Sequence, residues 1–390
     1  MKIILAQQNY HIGNFESNTN KIIDAIKFAK TENADLIVFS EMSVCGYPAR
    51  DFMDFNDFIN KCYESIEIIK QHADTIGVIV GAPDRNPVRE GKDLFNAAFL
   101  LYEKEVKGIA HKTCLPNYDV FDEYRYFEPA FAWNVIEFKG KKIALTICED
   151  IWNLGDNPLY RICPMDILME QGPELMINIS ASPFDYTHIE DRKAIIKANV
   201  LKYKLPLIYC NAVGSQTEIV FDGASLVFDK NANLCAQLPQ FKEETFTINL
   251  NDDGTIDKPV KEPAISAPGE PEPLHFTTEL NISQVYDAIV LGISDYFKKM
   301  GFKKAIIGSS GGIDSAVTLA LACSALGSEN VRAILMPSEF STGHSINDAE
   351  QLSNNLGNPY DIIPIKKIYN EFILQLKSFF KDSPFGLAEE

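Results

Sequence analysis

At 390 residues the chain exceeds the length at which a single hydrophobic core usually stops growing, and 46% hydrophobic residues exclude a disordered polymer, so two domains are expected. A formal net charge of -18 without any Lys/Arg cluster argues against nucleic acid or an anionic membrane as partner. The apolar run in the opening MKIILAQQNY is too short for a signal peptide, and no stretch approaches membrane-spanning length, which leaves cytoplasmic small-molecule chemistry as the expectation.

Residues 2–6 read as a buried strand, and Ile22, Ile23, Ile26 and Ala29 recur at helical spacing within 18–30. A strand over 36–39, a helical stretch over 59–72 and strands over 77–80 and 97–102 follow. Further strands are expected over 142–147, 175–179, 207–210 and 225–228. The apolar runs are mostly strand-length, which is the pattern of a layered α/β sheet.

From 251 to 275 the composition turns to proline and charge without apolar periodicity, so this segment reads as a linker that cannot build a core. It separates a domain over 1–250 from a second over 276–390. In the second, Val285, Ile289, Ile293 and Phe297 repeat at helical spacing, and a strand over 305–307 runs into a glycine-rich turn. A strand over 331–335 and a capped helix near 348–356 follow, with Ser345 or Asn347 as the expected N-cap. About a hundred residues after the linker is small for a parallel-sheet nucleotide domain, and an incomplete second domain is the expectation.

The eight cysteines, at 45, 62, 114, 148, 163, 210, 235 and 323, form no C-x-x-C pair, which speaks against zinc or a redox dithiol and fits a reducing compartment. Any one of them is by default a small buried hydrophobe. Cys148 differs in its setting, at the end of the strand in KIALTICEDIW, where α/β folds meet their ligands. A nucleophilic thiol needs a base or a cation beside it, and Glu41 and Lys112 each end a strand too. Glu41 would take the thiol proton and later activate water, and Lys112 would hold a positive charge near a tetrahedral oxyanion. On spacing alone the three read more readily as two strand-terminal charges and a core thiol.

The segments FSEMSVCGYPARD, HKTCLPNYDVFDEYRYF and LTICEDIW, in this order, resemble the three signature blocks of the nitrilase superfamily, and more narrowly those of glutamine-dependent NAD synthetases. The resemblance implies a Glu-Lys-Cys triad of Glu41, Lys112 and Cys148, with Glu123 as a second glutamate that supports the lysine and the substrate. It implies that Tyr118 and Trp152 line a glutamine pocket and that Ser182 lies near the amino-acid end of the substrate. Packing is the ordinary role of a Tyr or Trp. The family often carries Lys where this chain has His188, ahead of Arg192.

The stretch AIIGSSGGIDSAVTLALA reads as strand, glycine-rich loop and helix, a backbone that can approach a phosphate closely and present free N–H groups to it. It lacks the Gly-Lys-Ser/Thr ending of a Walker-A loop. SGGIDS instead resembles the signature of ATP pyrophosphatases, which implies that Ser310, Gly311, Gly312, Asp314 and Ser315 hold pyrophosphate, with Asp314 suited to a Mg²⁺ that arrives with ATP. The loop and helix start with Ser341, Ser345 and Asp348 continue the likeness.

The resemblance together implies an α/β chain: a four-layer α-β-β-α nitrilase-type sandwich, then a partial parallel-sheet adenine-nucleotide domain. It implies glutamine, ATP and deamido-NAD as partners, ATP with Mg²⁺ as co-substrate and ion, no tightly bound organic cofactor and a homo-oligomer. Glutaminase chemistry with an incomplete synthetase site is the expectation for the chain as it stands. The rivals are a stand-alone nitrilase-type amidase or carbamoylase with an unrelated C-terminal extension, and a nucleotide-binding scaffold in which Cys148 is inert.

Overall fold

The computed structural model describes residues 1–154, 159–257 and 279–380. The chain divides into two compact units, Met1–Ala288 and Ile289–Glu390. The linker segment predicted over 251–275 lies outside the described residues from 258 onward.

The first unit runs β1 (Lys2–Gln7), α1 (Phe15–Thr31), β2 (Leu36–Val38), α2 (Asn56–Lys70), β3 (Gly77–Arg85), β4 (Leu94–Tyr102), β5 (Glu105–His111), β6 (Ile136–Phe138), β7 (Lys141–Ile147), α3 (Pro164–Met169), β8 (Leu175–Ser180), α4 (His188–Tyr203) and β9 (Leu207–Asn211). It continues through β10 (Val213–Gln216), β11 (Ile219–Asp222), β12 (Leu226–Phe228), β13 (Leu234–Gln237) and β14 (Glu244–Asn249). Two six-stranded sheets result, ordered β14-β1-β2-β3-β4-β5 and β13-β12-β9-β8-β7-β6.

The apolar runs are continuous because both faces of each central strand are covered. Along β1, Ile4 and Ala6 face one core with Ile22 and Ile26 of α1 and Ile59 and Ile66 of α2, whereas Ile3 and Leu5 face the other sheet. Along β8, Leu175, Ile177 and Ile179 face that same middle core, and Met176 turns outward to Ile196 and Val200 of α4. Period-two alternation into three successive cores produces four layers, α-β-β-α. Truncating a fully buried middle residue such as Ile177 to Ala would cost about 2–5 kcal/mol.

The second unit comprises α5 (Glu279–Met300), across which the division of the chain falls, then β15 (Ala305–Gly308), α6 (Ile313–Leu326), β16 (Val331–Leu335), α7 (Gly343–Leu356), β17 (Tyr360–Ile362) and α8 (Lys366–Phe380). β15, β16 and β17 form a parallel sheet, and Leu319, Ala322 and Cys323 of α6 pack on Val331, Ala333 and Leu335. The helix expected near 348 begins earlier, because Thr342 rather than Ser345 or Asn347 is its N-cap and accepts from the Ser345 N–H at 3.2 Å. Among the described residues no helix is long and apolar enough to cross a membrane.

Candidate active site

Strand ends bring the polar residues together. Glu41 follows β2, Lys112 follows β5 and Cys148 follows β7, so side chains from distant parts of the sequence converge on one edge of the sandwich. The backbone at Glu41 is set by a close approach: a Cβ on Gly81 of β3 would fall 2.3 Å from the Met42 nitrogen and 2.8 Å from the Glu41 Cα. Only glycine fits there. Cys148 opens a 3₁₀ turn, Cys148–Ile151, with a left-handed φ of 44°, and its carbonyl accepts from Asn178 Nδ2 at 3.4 Å. A strand that turns at once into a helical turn lifts the thiol off the sheet, a device that nucleophiles use elsewhere at the cost of local strain.

Lys112 and Glu41 are almost wholly buried, at 0% and 1% exposure. Such charges persist inside a protein only when paired. Lys112 Nζ donates to Glu41 Oε1 at 2.8 Å and to Glu123 Oε1 at 2.7 Å, and the Tyr47 hydroxyl donates to Glu123 Oε1 at 2.8 Å. Burial alone would lower the lysine pKa, but Glu123 and Glu41 outweigh it and hold the ammonium above its ordinary range. Burial pushes the Glu123 carboxyl up to about 7 against the pull of Lys112. It also pushes the Cys148 thiol well up, with Glu41 adding to the rise and Lys112 opposing it. A neutral thiol beside a carboxylate is the resting state of a nucleophile that needs a base. The structure thus brings Glu41, Lys112 and Glu123 into direct contact and Cys148 within reach of their charges.

Neighbouring residues fix these loops to one another. Asp150, buried within the cysteine turn, accepts the N–H groups of Thr113 and Cys114 at 2.9 Å and that of Ile147 at 3.0 Å, so the lysine loop is stapled to the cysteine turn. The Ala181 N–H, just after β8, donates to Glu41 Oε2 at 2.8 Å. Ser182 is buried, and its Oγ accepts from Arg192 Nη2 at 3.4 Å while its N–H donates to Asn211 Oδ1 at 2.9 Å. Tyr118 is half exposed and donates its hydroxyl to Glu149 Oε1 at 2.9 Å, next in sequence to Cys148. Burial raises the pKa of Glu149, which Tyr160 also approaches at 3.3 Å. Trp152 is partly buried and packs against the core between the second sheet and α4. The side chain of His188 lies outside the described residues.

In the second unit the loop between β15 and α6 closes on itself. Ser310 Oγ lies 3.1 Å from Ser315 Oγ and accepts from the Gly312 N–H at 3.2 Å, and Ser315 Oγ donates to the Gly312 carbonyl at 3.0 Å. Gly311 has a φ of 81°, and a Cβ there would fall 2.1 Å from the Ser345 carbonyl oxygen. Asp314 is exposed in the first turn of α6. The loop borders a cavity of about 210 Å³ lined by Gly308, Ser309, Ser310, Met336, Pro337 and Ser341, at the C-terminal ends of parallel strands where α/β sheets bind ligands. Among the described residues no group of three or more His, Cys, Asp or Glu could hold a metal by itself. A lone carboxylate suits Mg²⁺, which takes one or two carboxylates and completes its shell from phosphate and water.

Asn96, Tyr47, Asp150 and the Ala181 N–H complete the site without being among the residues that the sequence singles out. Asn96 donates from Nδ2 to Glu41 Oε1 at 2.6 Å. A signal for it exists, since a polar residue in the run LFNAAFLLY has to be paired if the strand is buried.

The carbon-nitrogen hydrolase family model matches residues 2–256, and the NAD synthase family model matches 285–389. The chain is 37% identical over 395 residues to a glutamine-dependent NAD(+) synthetase of Synechocystis sp., covering 100% of this chain and 69% of the relative. It is 34% identical over 411 residues to that of Thermotoga maritima, with the same coverage. Among solved structures it is similar to the glutamine-dependent NAD+ synthetase of Acinetobacter baumannii in complex with ADP, at TM-score 0.87 and 32% identity, over 100% of this chain and 69% of that one. An amidase from Nesterenkonia sp., at TM-score 0.56 and 20% identity over 65% of this chain and 91% of its own, shares the fold of the first unit. The NAD synthase match speaks against the rival reading of an unrelated extension on a stand-alone amidase. With a carbon-nitrogen hydrolase unit followed by an NAD synthase unit, and relatives aligned along its whole length, the chain belongs to the glutamine-dependent NAD synthetases.

Proposed function

We propose that the first unit hydrolyses glutamine through a thioester on Cys148 and that the ammonia amidates adenylated deamido-NAD at a synthetase site to which the second unit contributes the phosphate loop. Glu41 takes the thiol proton as sulfur attacks the carboxamide carbon, and the Lys112 ammonium faces the negative charge that develops on oxygen. The tetrahedral adduct collapses when Glu41 returns the proton to nitrogen, so ammonia leaves and the thioester remains. Glu41 then deprotonates a water that attacks the thioester, releasing glutamate and restoring the thiol. Tyr118, Glu149 and Ser182 border the place where the substrate would sit.

In the second unit, the carboxylate of deamido-NAD attacks the α-phosphorus of ATP, pyrophosphate leaves, and ammonia displaces AMP to give the amide. Ser310, Gly311, Gly312 and Ser315 would cradle the pyrophosphate, and Asp314 would hold Mg²⁺ against it. When bound, the ion screens phosphate charge. Ammonia protonates in bulk water, which is the chemical reason for one chain to carry both reactions.

The observation that carries this reading is the buried contact of Lys112 with both Glu41 and Glu123, with Cys148 in reach of their charges. The test is incubation of the whole chain with glutamine followed by acid quench and peptide mass spectrometry, with hydroxylamine added to a parallel sample to release the acyl group as the γ-glutamyl hydroxamate. We expect a γ-glutamyl adduct on Cys148, and iodoacetamide alkylation of Cys148 that glutamine suppresses. No glutamate formation, or an adduct on another cysteine, would overturn it.

A further inference from the structure

Asn96 lies on β4 between Phe95 and Ala97, fully buried in a strand that is otherwise apolar along its buried length. A primary amide in that setting is retained only for the bonds it makes. Its Nδ2 donates to Glu41 Oε1 at 2.6 Å and faces Glu123 Oε2 at 3.5 Å. Its backbone carbonyl accepts the Lys112 N–H at 2.8 Å. One residue thus touches the glutamate pair through its side chain and the lysine through its main chain. Its Oδ1 has no partner among the described residues, so it is the N–H side of the amide that the site uses.

The bonds to Glu41 show why. A carboxylate offers about four acceptor positions. Oε1 receives Lys112 Nζ and Asn96 Nδ2, and Oε2 receives the Ala181 N–H. One position on Oε2 is left. We propose that Asn96 is a positioning residue for glutamine hydrolysis: by filling the second position of Oε1 it confines proton transfer to Oε2, and as an uncharged donor it separates the two carboxylates. The inference rests on Glu41 being the base. Aspartate is isosteric with asparagine but would set a third acid against the other two, so the side chain has to be an amide.

The charged and titratable groups facing Glu41 are Lys112 after β5, Glu123 in the loop beyond it, Cys148 and Glu149 after β7, and Tyr47 between β2 and α2. Replacing Asn96 leaves the identity of every one of them unchanged, so a change in the pH profile of a folded variant reports on the amide.

The experiment compares the whole chain with Asn96→Asp and Asn96→Leu. Two quantities are read from pH 5 to 9: the rate of Cys148 alkylation by iodoacetamide, quantified by peptide mass spectrometry, and kcat and KM for glutamine. Both variants should move the acid limb of the alkylation profile upward by about one pH unit, Asn96→Asp further than Asn96→Leu. kcat should fall by about 10- to 100-fold, with KM within about twofold of the parent. A merely structural role would lower the melting temperature and leave the limb where it was. An unmoved limb in either folded variant overturns the proposal, and if Asn96→Leu fails to fold the isosteric Asn96→Asp decides. If the parent chain shows no glutamine-protected alkylation of Cys148, the glutaminase reading fails instead, and the two failures are told apart.

Discussion

The backbone N–H of Ala181 lies 2.8 Å from Oε2 of Glu41 and joins residues 140 positions apart in the chain. Glu41 extends from the first sheet and Ala181 from the second, so the proposed base is gripped by both halves of the sandwich. Its orientation therefore depends on how the sheets pack, and distant substitutions that shift one sheet should be felt as lost activity.

Lys112→Ala tests the cation directly. Losing one oxyanion donor costs about 10²- to 10³-fold in rate elsewhere, and the same loss in glutamine turnover is expected here. The change also leaves Glu41 and Glu123 without their common partner, so a stability loss of about 3–5 kcal/mol should accompany it. Steady-state kinetics and chemical denaturation check the two parts, and an unchanged rate in folded protein would remove Lys112 from the mechanism.

Gly81→Ala should damage glutamine hydrolysis from behind Glu41. The added methyl group meets the backbone of Glu41 and Met42, which cannot swing aside as a flexible side chain would. We expect glutamine kcat to fall at least about tenfold and the melting temperature to drop by a few degrees. A kinetically normal Gly81→Ala protein would show that the loop tolerates displacement.

The Glu123 carboxyl, pushed up to about 7 by burial, links activity and stability in opposite directions. Its folded pKa lies above that of an unfolded glutamate, about 4.3. The stability it contributes is thus fully present below that value and is lost as pH rises through 7. Activity should instead rise through 7, because the ionised form pairs with Lys112. Glu123→Gln removes the titration, so the melting temperature of the variant minus that of the parent should grow between pH 5 and 8. Parallel melting curves across that range would contradict the assignment.

Gly311→Ala addresses the phosphate loop. With φ at 81° and the Ser345 carbonyl in the way, any side chain forces the loop out of shape. The thermal stabilisation of the chain by ATP with Mg²⁺ should disappear, while glutamine hydrolysis without ATP stays within about twofold of the parent. Retained stabilisation would place ATP elsewhere.

Much of this is legible in the sequence where pattern and chemistry coincide. Strands such as β1, β7 and β8 are short continuous apolar runs, and buried strands covered on both faces have to look that way. α4 escapes a reading by periodicity, because its inward face carries Arg192 and Asn199 among Ile189, Ile196 and Val200 and so breaks the apolar stripe. Arg192 pairs with Asp222 at 3.0 Å, a partner no local pattern announces. The strand predicted over 97–102 begins at Leu94, and the polar Asn96 that interrupts the run is the residue that contacts Glu41. Glu41, Lys112 and Cys148 can be named from strand ends and family likeness. Their neighbours cannot, because the carboxylate of Asp150 grips backbone N–H groups, and Ala181 and Gly81 act through their own backbone, at positions only the packed sheets define.

β14 lies antiparallel beside β1, with Lys2 opposite Asn249 and the Met1 ammonium donating to the Leu250 carbonyl at 2.7 Å. The sandwich thus hands the chain onward next door to its own first strand. A circular permutant that splices Leu250 to Met1 through a short spacer and opens new ends at the exposed Lys139–Gly140 hairpin would leave every triad loop uncut.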